Sequence, residues 1–171
     1  MAFTIMESRV VTQPIAATEA TQASDITLGT IVRAVDPTYG MGEFIYLLGV
    51  DSTVVGSLVE YNATTYQTAL SADTAALARP CAVAMSANTS TKYGWYQIAG
   101  LVPTKKTAVK ADPAVNAQRI YQSATAGRVM QTSAAGKCIL GAARANLTTV
   151  TSTTSTVILL INRPCKQGPI T

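Results

Sequence analysis

"TTVTSTTSTVILLINRP", residues 148–164, begins as a run of Thr and Ser and becomes an apolar, β-branched segment. The hydroxyl side chains of 148–156 suit a pleated, half-exposed surface. Residues 157–161 form a continuous apolar run, which is typical of a strand covered on both faces. Pro164 cannot donate a ladder hydrogen bond, so we expect pairing to end there. One face of this strand should meet the core, and the other should meet an N-terminal arm, a loop or a partner molecule.

The same β texture recurs from Leu28 onward. Short runs rich in Val, Ile, Thr and Tyr alternate with Gly, Asn and Pro at spacings of about 8 to 12 residues, as in sandwiches and barrels. "DPTYG" at 36–40 predicts a turn between two strands, and "GRVMQTSAAGKCILG" at 127–141 predicts a hairpin. We therefore predict an all-β fold, a small antiparallel β-barrel or sandwich with short strands.

The chain divides into three parts on composition. Residues 1–26 lack a helical or strand period and predict an extended arm, 27–164 predict the β-domain, and 165–171 predict a C-terminal tail. The arm is ordered either by its own domain or by a partner, or else it is a mobile terminus. Deleting residues 1–25 should then leave the domain folded. Its apolar residues are candidate partner contacts: Phe3, Ile5, Val10, Val11 and Ile15.

Composition excludes several function classes. Hydrophobic residues make up 48% of the chain, too many for a disordered polymer. Charged residues make up 13% against about 25% in typical domains, which suits a surface that lies against another protein. The chain contains no His, which removes the commonest general base and metal ligand. No phosphate loop, dinucleotide fingerprint or paired carboxylates appear, so we predict no enzyme, no metal and no cofactor.

The three scattered cysteines and the N-terminus indicate the cellular compartment in which the protein is made. Cys81, Cys138 and Cys165 form no C-x-x-C pair and predict free thiols in a reducing cytoplasm. The N-terminus lacks the pattern of a signal peptide, and no apolar stretch is long enough for a membrane span. We expect a protein made in the cytoplasm, with no membrane partner.

"KYGWYQIAG" at 92–100 contains the chain's single Trp. In a strand, Tyr93, Trp95 and Gln97 face one way while Tyr96 and Ile98 face the other. A core position for the aromatic residues is favoured over a partner-contact role for Trp95 and Tyr96, and base stacking ranks third.

The net charge of +4 is mildly basic, and only Lys105, Lys106 and Lys110 are grouped. Nucleic-acid binding surfaces carry denser basic clusters. We therefore expect the three lysines to lie on a solvated face and predict no nucleic-acid partner.

Several phrases, in this order, carry a resemblance: "LGTIVRAVDPTYGMGEFIYLLGVDSTVVGSLVEYN" (28–62), "PCAVAMSANTSTKYGWYQIAG" (80–100), "RIYQSATAGRVM" (119–130), "ILGAA" (139–143) and "ILLINRP" (158–164). Together they resemble small virion proteins of tailed bacteriophages, encoded among head genes. More loosely, they resemble capsid decoration or cement proteins.

The resemblance implies a structural protein on the capsid surface of a virion, bound in many copies to the major capsid protein and assembled as a homo-trimer or homo-dimer. It implies no catalytic residues. Two alternatives stay open, namely another virion component such as a tail or connector protein, and a carbohydrate- or nucleic-acid-binding β-domain.

Overall fold

A computed structural model describes residues 4–5, 13–107 and 118–169. Twelve β-strands and no α-helix lie within these residues, which confirms the predicted all-β class. The described part of the chain has no helix that is long and apolar enough to cross a membrane. The strands are β1 (Thr4–Ile5), β2 (Thr18–Glu19), β3 (Ile31–Asp36), β4 (Gly40–Leu48), β5 (Leu58–Tyr61), β6 (Thr68–Leu70), β7 (Cys81–Ala84), β8 (Tyr93–Lys105), β9 (Arg119–Gln122), β10 (Val129–Met130), β11 (Cys138–Arg144) and β12 (Thr156–Lys166).

The strands form one antiparallel sheet that curls into a half-barrel. Its main path runs β1-β3-β4-β8-β12-β11-β9-β10, and β2 pairs with the start of β8. A branch leaves β8 through β7, which pairs with β5, and β5 pairs with β6. An isolated bridge between Lys106 and Val129 brings β10 back to the end of β8. The central strand, β8, therefore organises the whole fold.

The predicted turn at 36–40 joins β3 to β4. Its first residue, Asp36, accepts hydrogen bonds at Oδ1 from the backbone N–H groups of Thr38 and Tyr39. Gly40 closes the turn at φ +74°, a backbone conformation that costs glycine little. The two strands then pair in register from Asp36 opposite Gly40 to Ile31 opposite Ile45. Local turn chemistry thus fixes this hairpin, as the sequence predicted.

The hairpin predicted across residues 127–141 was wrong. Both of its strands pair with β9, which lies between them: Val129 is opposite Gln122, and Cys138 is opposite Tyr121. The turn residues were recognised correctly, but the two strands that flank them do not meet. Pairing with β9 depends on contacts across the sheet, which the turn sequence does not encode.

Two hydrophobic clusters lie on opposite faces of β8. Trp95 and Val102 belong to the larger one, inside the half-barrel, together with Leu159 of β12. Tyr96 and Ile98 belong to the smaller one, which side chains of β4, β5 and β7 complete. The alternation predicted from "YGWYQI" is therefore confirmed. The first half of β8 is covered on both faces.

The segment from Gln13 to Ile26 folds over its own domain. Ile15 and Ile26 are buried in the larger cluster. The carbonyl oxygen of Gln13 accepts a hydrogen bond from Trp95 Nε1, and its Oε1 accepts one from the hydroxyl of Tyr46. This part of the predicted arm belongs to the core, so deleting residues 1–25 would remove core contacts. Residue Ile5 lies in β1, beside Ala34 of β3. Phe3, Val10 and Val11 lie outside the described residues.

The closing strand, β12, differs from its prediction in two respects. It alternates, with Leu159 only 1% exposed and Leu160 53% exposed, so the described chain covers one face only. It also continues beyond Pro164, because Cys165 pairs with Leu140 and Lys166 with Ile139 of β11. The missing N–H of Pro164 does not interrupt pairing, since that residue lies in a bulge without a partner in the ladder.

Candidate protein-contact surface

The solvent side of β8, β11 and β12 is a continuous surface of small and apolar side chains, which we call the outer face. Leu160 stands between Leu101 of β8 and Ala143 of β11 in the strand register. Ile158 and Pro103 form the neighbouring pair on the same side. The outer face consists of Ala99, Leu101, Pro103, Ala143, Ile158, Leu160 and Asn162.

Two shallow depressions lie on and beside the outer face, and one of them reaches β4. One, of about 340 Å³, is lined by Ala143, Leu160 and Asn162 among others. The other, of about 370 Å³, is lined by Met41, Glu43, Asn162 and Arg163 among others. Because Asn162 lines both, the depressions form one surface. Met41 is 52% exposed beside it, which extends the apolar area.

A bulge in β12 shapes one side of this surface. Leu140 pairs with Cys165 and Ala142 with Ile161, so residues 162–164 stand opposite Gly141 alone. Arg163 adopts φ +45°, a left-handed conformation that is costly for a residue with a side chain. Bulges of this kind change the direction of side chains and bend the strand. Here the bulge directs the Arg163 side chain back towards β4.

A second irregularity lies in β8, next to the bulge of β12. Glu43 pairs with Ala99 but Phe44 pairs with Gln97, so β8 has one extra residue at this point. Gly100 follows at φ +100°, and a Cβ there would stand 2.5 Å from the carbonyl oxygen of Met41. The buried amide of Gln97 donates hydrogen bonds to the carbonyl oxygens of Ala99 and Leu101, at 2.9 and 3.1 Å. An internal side chain therefore holds this irregularity in place.

The two irregularities bring three charged residues together, which we call the arginine cluster: Arg33, Glu43 and Arg163. Arg33 Nε lies 3.2 Å from Glu43 Oε1, and Arg163 Nη2 lies 3.0 Å from Glu43 Oε2. Both arginine side chains are about three-fifths exposed, while that of Glu43 is 20% exposed. One carboxylate thus stands between two guanidinium groups, and the cluster carries one net positive charge.

A second carboxylate is bound more deeply. Glu60 Oε2 accepts a hydrogen bond from Lys166 Nζ at 2.7 Å, and its Oε1 accepts one from Arg79 at 2.7 Å. The Lys166 side chain is fully buried, and its Nζ also donates to the carbonyl oxygen of Ala72. Burial raises the pKa of the neighbouring Cys81 thiol from 9.0 to about 12. These groups join β5, β7 and β12 inside the protein.

The structure places three of the predicted contact residues in the interior. Trp95, Tyr96 and Ile15 are 0%, 1% and 3% exposed, so they have no surface to offer a partner. Trp95 and Tyr96 are buried because β8 is covered on both faces where its aromatic residues lie, and Ile15 is packed in the larger cluster.

The predicted solvated lysine face was also wrong in part. Lys106 is buried, and its Nζ donates to the carbonyl oxygen of Thr107, whereas Lys105 is half-buried. Lys110 lies outside the described residues. The end of β8 pairs with Ser155 and Val129, and this pairing draws Lys106 inside.

Neither the outer face nor the arginine cluster was predicted from the sequence. The run "VILLI" is apolar throughout and hides the fact that only alternate residues are covered. Arg33 and Glu43 could have been paired from the predicted β3–β4 hairpin, as they stand opposite each other across it. Arg163 could not, because its place depends on the strand order and the bulge.

The described part of the chain holds no group of three His, Cys, Asp or Glu residues that could bind a metal ion. Other large apolar residues that are exposed lie in strands, namely Ile31 of β3 and Leu140 of β11, and in loops, namely Val54, Val55 and Leu147. The fold and surface thus define an all-β protein with one exposed, largely uncharged sheet face. No protein-family model, curated protein or solved structure matches this chain.

Proposed function

We propose that the chain is a non-enzymatic structural protein of a tailed-bacteriophage virion, a decoration or cement protein that binds the major capsid protein on the outside of the head. Many copies, as homo-trimers or homo-dimers, would stabilise the shell. The observation that carries the proposal is the exposed outer face around Leu160, whose side chain is 53% exposed in the middle of a sheet.

The physical argument is that this face can be buried at little cost. Burying apolar surface yields about 25 cal/mol per Å², whereas burying unpaired charge is unfavourable. The outer face itself carries no charged side chain, and only 13% of the whole chain is charged. A homo-oligomer that contacts several subunits of a lattice at once binds with avidity, so each single contact can be small and largely apolar. The resemblance of residues 28–164 to virion proteins of head-gene clusters supports the assignment of the lattice as a capsid.

The alternative virion locations are less well supported. A tail-tube or ring protein assembles by adding strands at free sheet edges. The two longest strands, β8 with 13 residues and β12 with 11, are interior strands with neighbours on both sides. The carbohydrate- or nucleic-acid-binding alternative loses its main candidates, because Trp95, Tyr96 and Lys106 are all buried.

Co-sedimentation tests the proposal. Purified protein is mixed with expanded heads of the encoding phage that lack it, and bound protein is measured in the pellet. We expect saturable binding by the unaltered chain and a loss of about four- to ten-fold in affinity for Leu160→Ser, since burial of the exposed half of one leucine side chain contributes about 0.8–1.5 kcal/mol. Leu147→Ser is the matched control, because Leu147 is 91% exposed but lies in the loop after β11. An absence of binding by the unaltered chain would refute the proposal.

A further inference from the structure

The arginine cluster has the composition and geometry of a carboxylate-binding site. Arg33 and Arg163 each make one contact to Glu43 and leave about three-fifths of their side chains exposed. A guanidinium group has five N–H donors in a planar fork, so each arginine retains donors that face solvent. Glu43 orients both groups but neutralises only one of the two positive charges.

We infer that this cluster, together with the adjoining outer face, binds acidic side chains of a protein partner. The inference rests on the proposed function, because it names the partner's chemistry at the same surface. Arginine forks match carboxylates in two-point hydrogen bonds, and they lose less hydration than lysine when they are buried. The neighbouring Met41 and Leu160 are 52% and 53% exposed, and Arg and Met are both enriched in protein interfaces.

The backbone at Arg163 supports the inference independently. A left-handed, non-glycine residue costs about 1–3 kcal/mol and is found disproportionately at functional sites. The bulge that holds it serves no visible packing purpose for the Arg163 side chain, which is 60% exposed. It does bring a guanidinium group from β12 across β8 to the carboxylate of Glu43 on β4. The outcome is a pair of arginines fixed at one point of the surface.

Charge density favours a protein over a nucleic acid as the partner. Binding to phosphate backbones increases with the number of neutralised phosphates, and this cluster carries one net positive charge. Single-stranded nucleic acids also need exposed aromatic side chains for stacking. The aromatic residues of β8 nearest the cluster are buried. A few carboxylates beside an apolar patch match this surface better.

A peptide-binding assay tests the inference without a capsid. The four strands from β3 to β12 span about 14 Å, so an extended peptide of about six residues covers the cluster. A fluorescein-labelled hexaglutamate peptide is titrated with the full chain at low salt, and anisotropy is recorded. We expect binding that weakens about ten-fold in the double variant Arg33→Gln/Arg163→Gln. The control, Lys92→Gln/Arg128→Gln, loses the same charge elsewhere and should bind as the unaltered chain does.

Two further arms separate carboxylate recognition from general attraction of anions. The double variant Arg33→Lys/Arg163→Lys keeps the charge but loses the planar forks, so we expect it to bind more weakly than the unaltered chain. A labelled thymidine hexanucleotide should bind more weakly than the peptide. Equal binding of the lysine variant, tighter binding of the oligonucleotide or equal losses in test and control variants would each overturn the inference. Peptide binding without capsid binding would leave the inference standing and refute the proposed function instead.

Discussion

Leu159 and Leu160 are neighbours in sequence and lie on opposite faces of β12. Leu159 is 1% exposed inside the half-barrel, and Leu160 is 53% exposed on the outer face. We expect Leu159→Ala to lower the free energy of unfolding by about 2–5 kcal/mol, since it leaves a cavity. Leu160→Ala should change it by less than about 0.5 kcal/mol. Urea denaturation of both variants measures the difference, and equal losses would show that the outer face is covered.

The buried ion pair of Glu60 and Lys166 leads to a second prediction about stability. Glu60→Gln leaves the fully buried Lys166 ammonium without its carboxylate, so we expect a loss of about 3–5 kcal/mol. The double variant Glu60→Gln/Lys166→Met removes the unpaired charge and should be more stable than Glu60→Gln alone. Chemical denaturation of the unaltered chain, Glu60→Gln, Lys166→Met and the double variant measures their free energies of unfolding. Additive losses in the double variant would mean that Lys166 finds another partner.

The raised pKa of the Cys81 thiol predicts that the stability of the folded protein depends on pH. Its pKa is about 12 in the folded protein and near 9.0 when unfolded, so the unfolded chain loses this proton first as pH rises. The stabilising contribution is complete below pH 9 and is lost between about 9 and 12, at up to about 1.4 kcal/mol per pH unit. Urea unfolding at pH 8 and pH 10.5 should therefore show a smaller decrease for Cys81→Ala than for the unaltered chain. Buried tyrosines titrate in both proteins, so identical decreases would contradict the assignment to Cys81.

At the scale of elements, the segment after Gln13 acts as part of the core rather than as a free arm. Removing residues 1–25 takes away Ile15 and the carbonyl oxygen that accepts the Trp95 Nε1 hydrogen bond. We expect this deletion to shift the fluorescence of the single Trp to longer wavelength and to lower the unfolding midpoint. Deletion of residues 1–12 retains these contacts and is the matched control. Unchanged Trp95 fluorescence in both deletions would show that the segment is dispensable.

The elements that could be predicted from the sequence are those fixed by local chemistry. "DPTYG" encodes the β3–β4 turn through one aspartate oxygen and one glycine, and the alternation in "YGWYQI" encodes the two faces of β8. The pairing of β9 between β10 and β11 could not be predicted, because it joins strands on either side of a convincing turn. The prediction that pairing ends at Pro164 was wrong for a related reason. Pro164 lies in a bulge, where the strand needs no hydrogen bond from its nitrogen.

The candidate surface was less predictable than the fold. The apolar run in β12 was recognised, but the question of what covers its second face depends on where every other strand lies. Strands β5 to β7 help to cover β4 and the first half of β8, and they leave the outer face of β12 bare. Arg163 joins Arg33 and Glu43 only because two strand irregularities occur at the same level of the sheet.

At the scale of the whole molecule, the distribution of surface chemistry suggests an orientation on a partner. The outer face and the arginine cluster adjoin each other, whereas the exposed apolar loop residues Val54, Val55 and Leu147 lie outside them. A protein that binds through the sheet face would leave these loops free to contact neighbouring copies. We therefore propose that the outer face, rather than the loops, meets the capsid.

Cryo-electron microscopy of decorated heads would show which surface of the protein meets the shell. Expanded heads that lack the protein are saturated with it, and the structure is docked into the additional density. We expect regular density at local two-fold or three-fold positions, with Leu160 and Arg163 against the major capsid protein and acidic side chains beside the arginine cluster. Bare heads, or density in which the outer face points to solvent, would contradict this proposal.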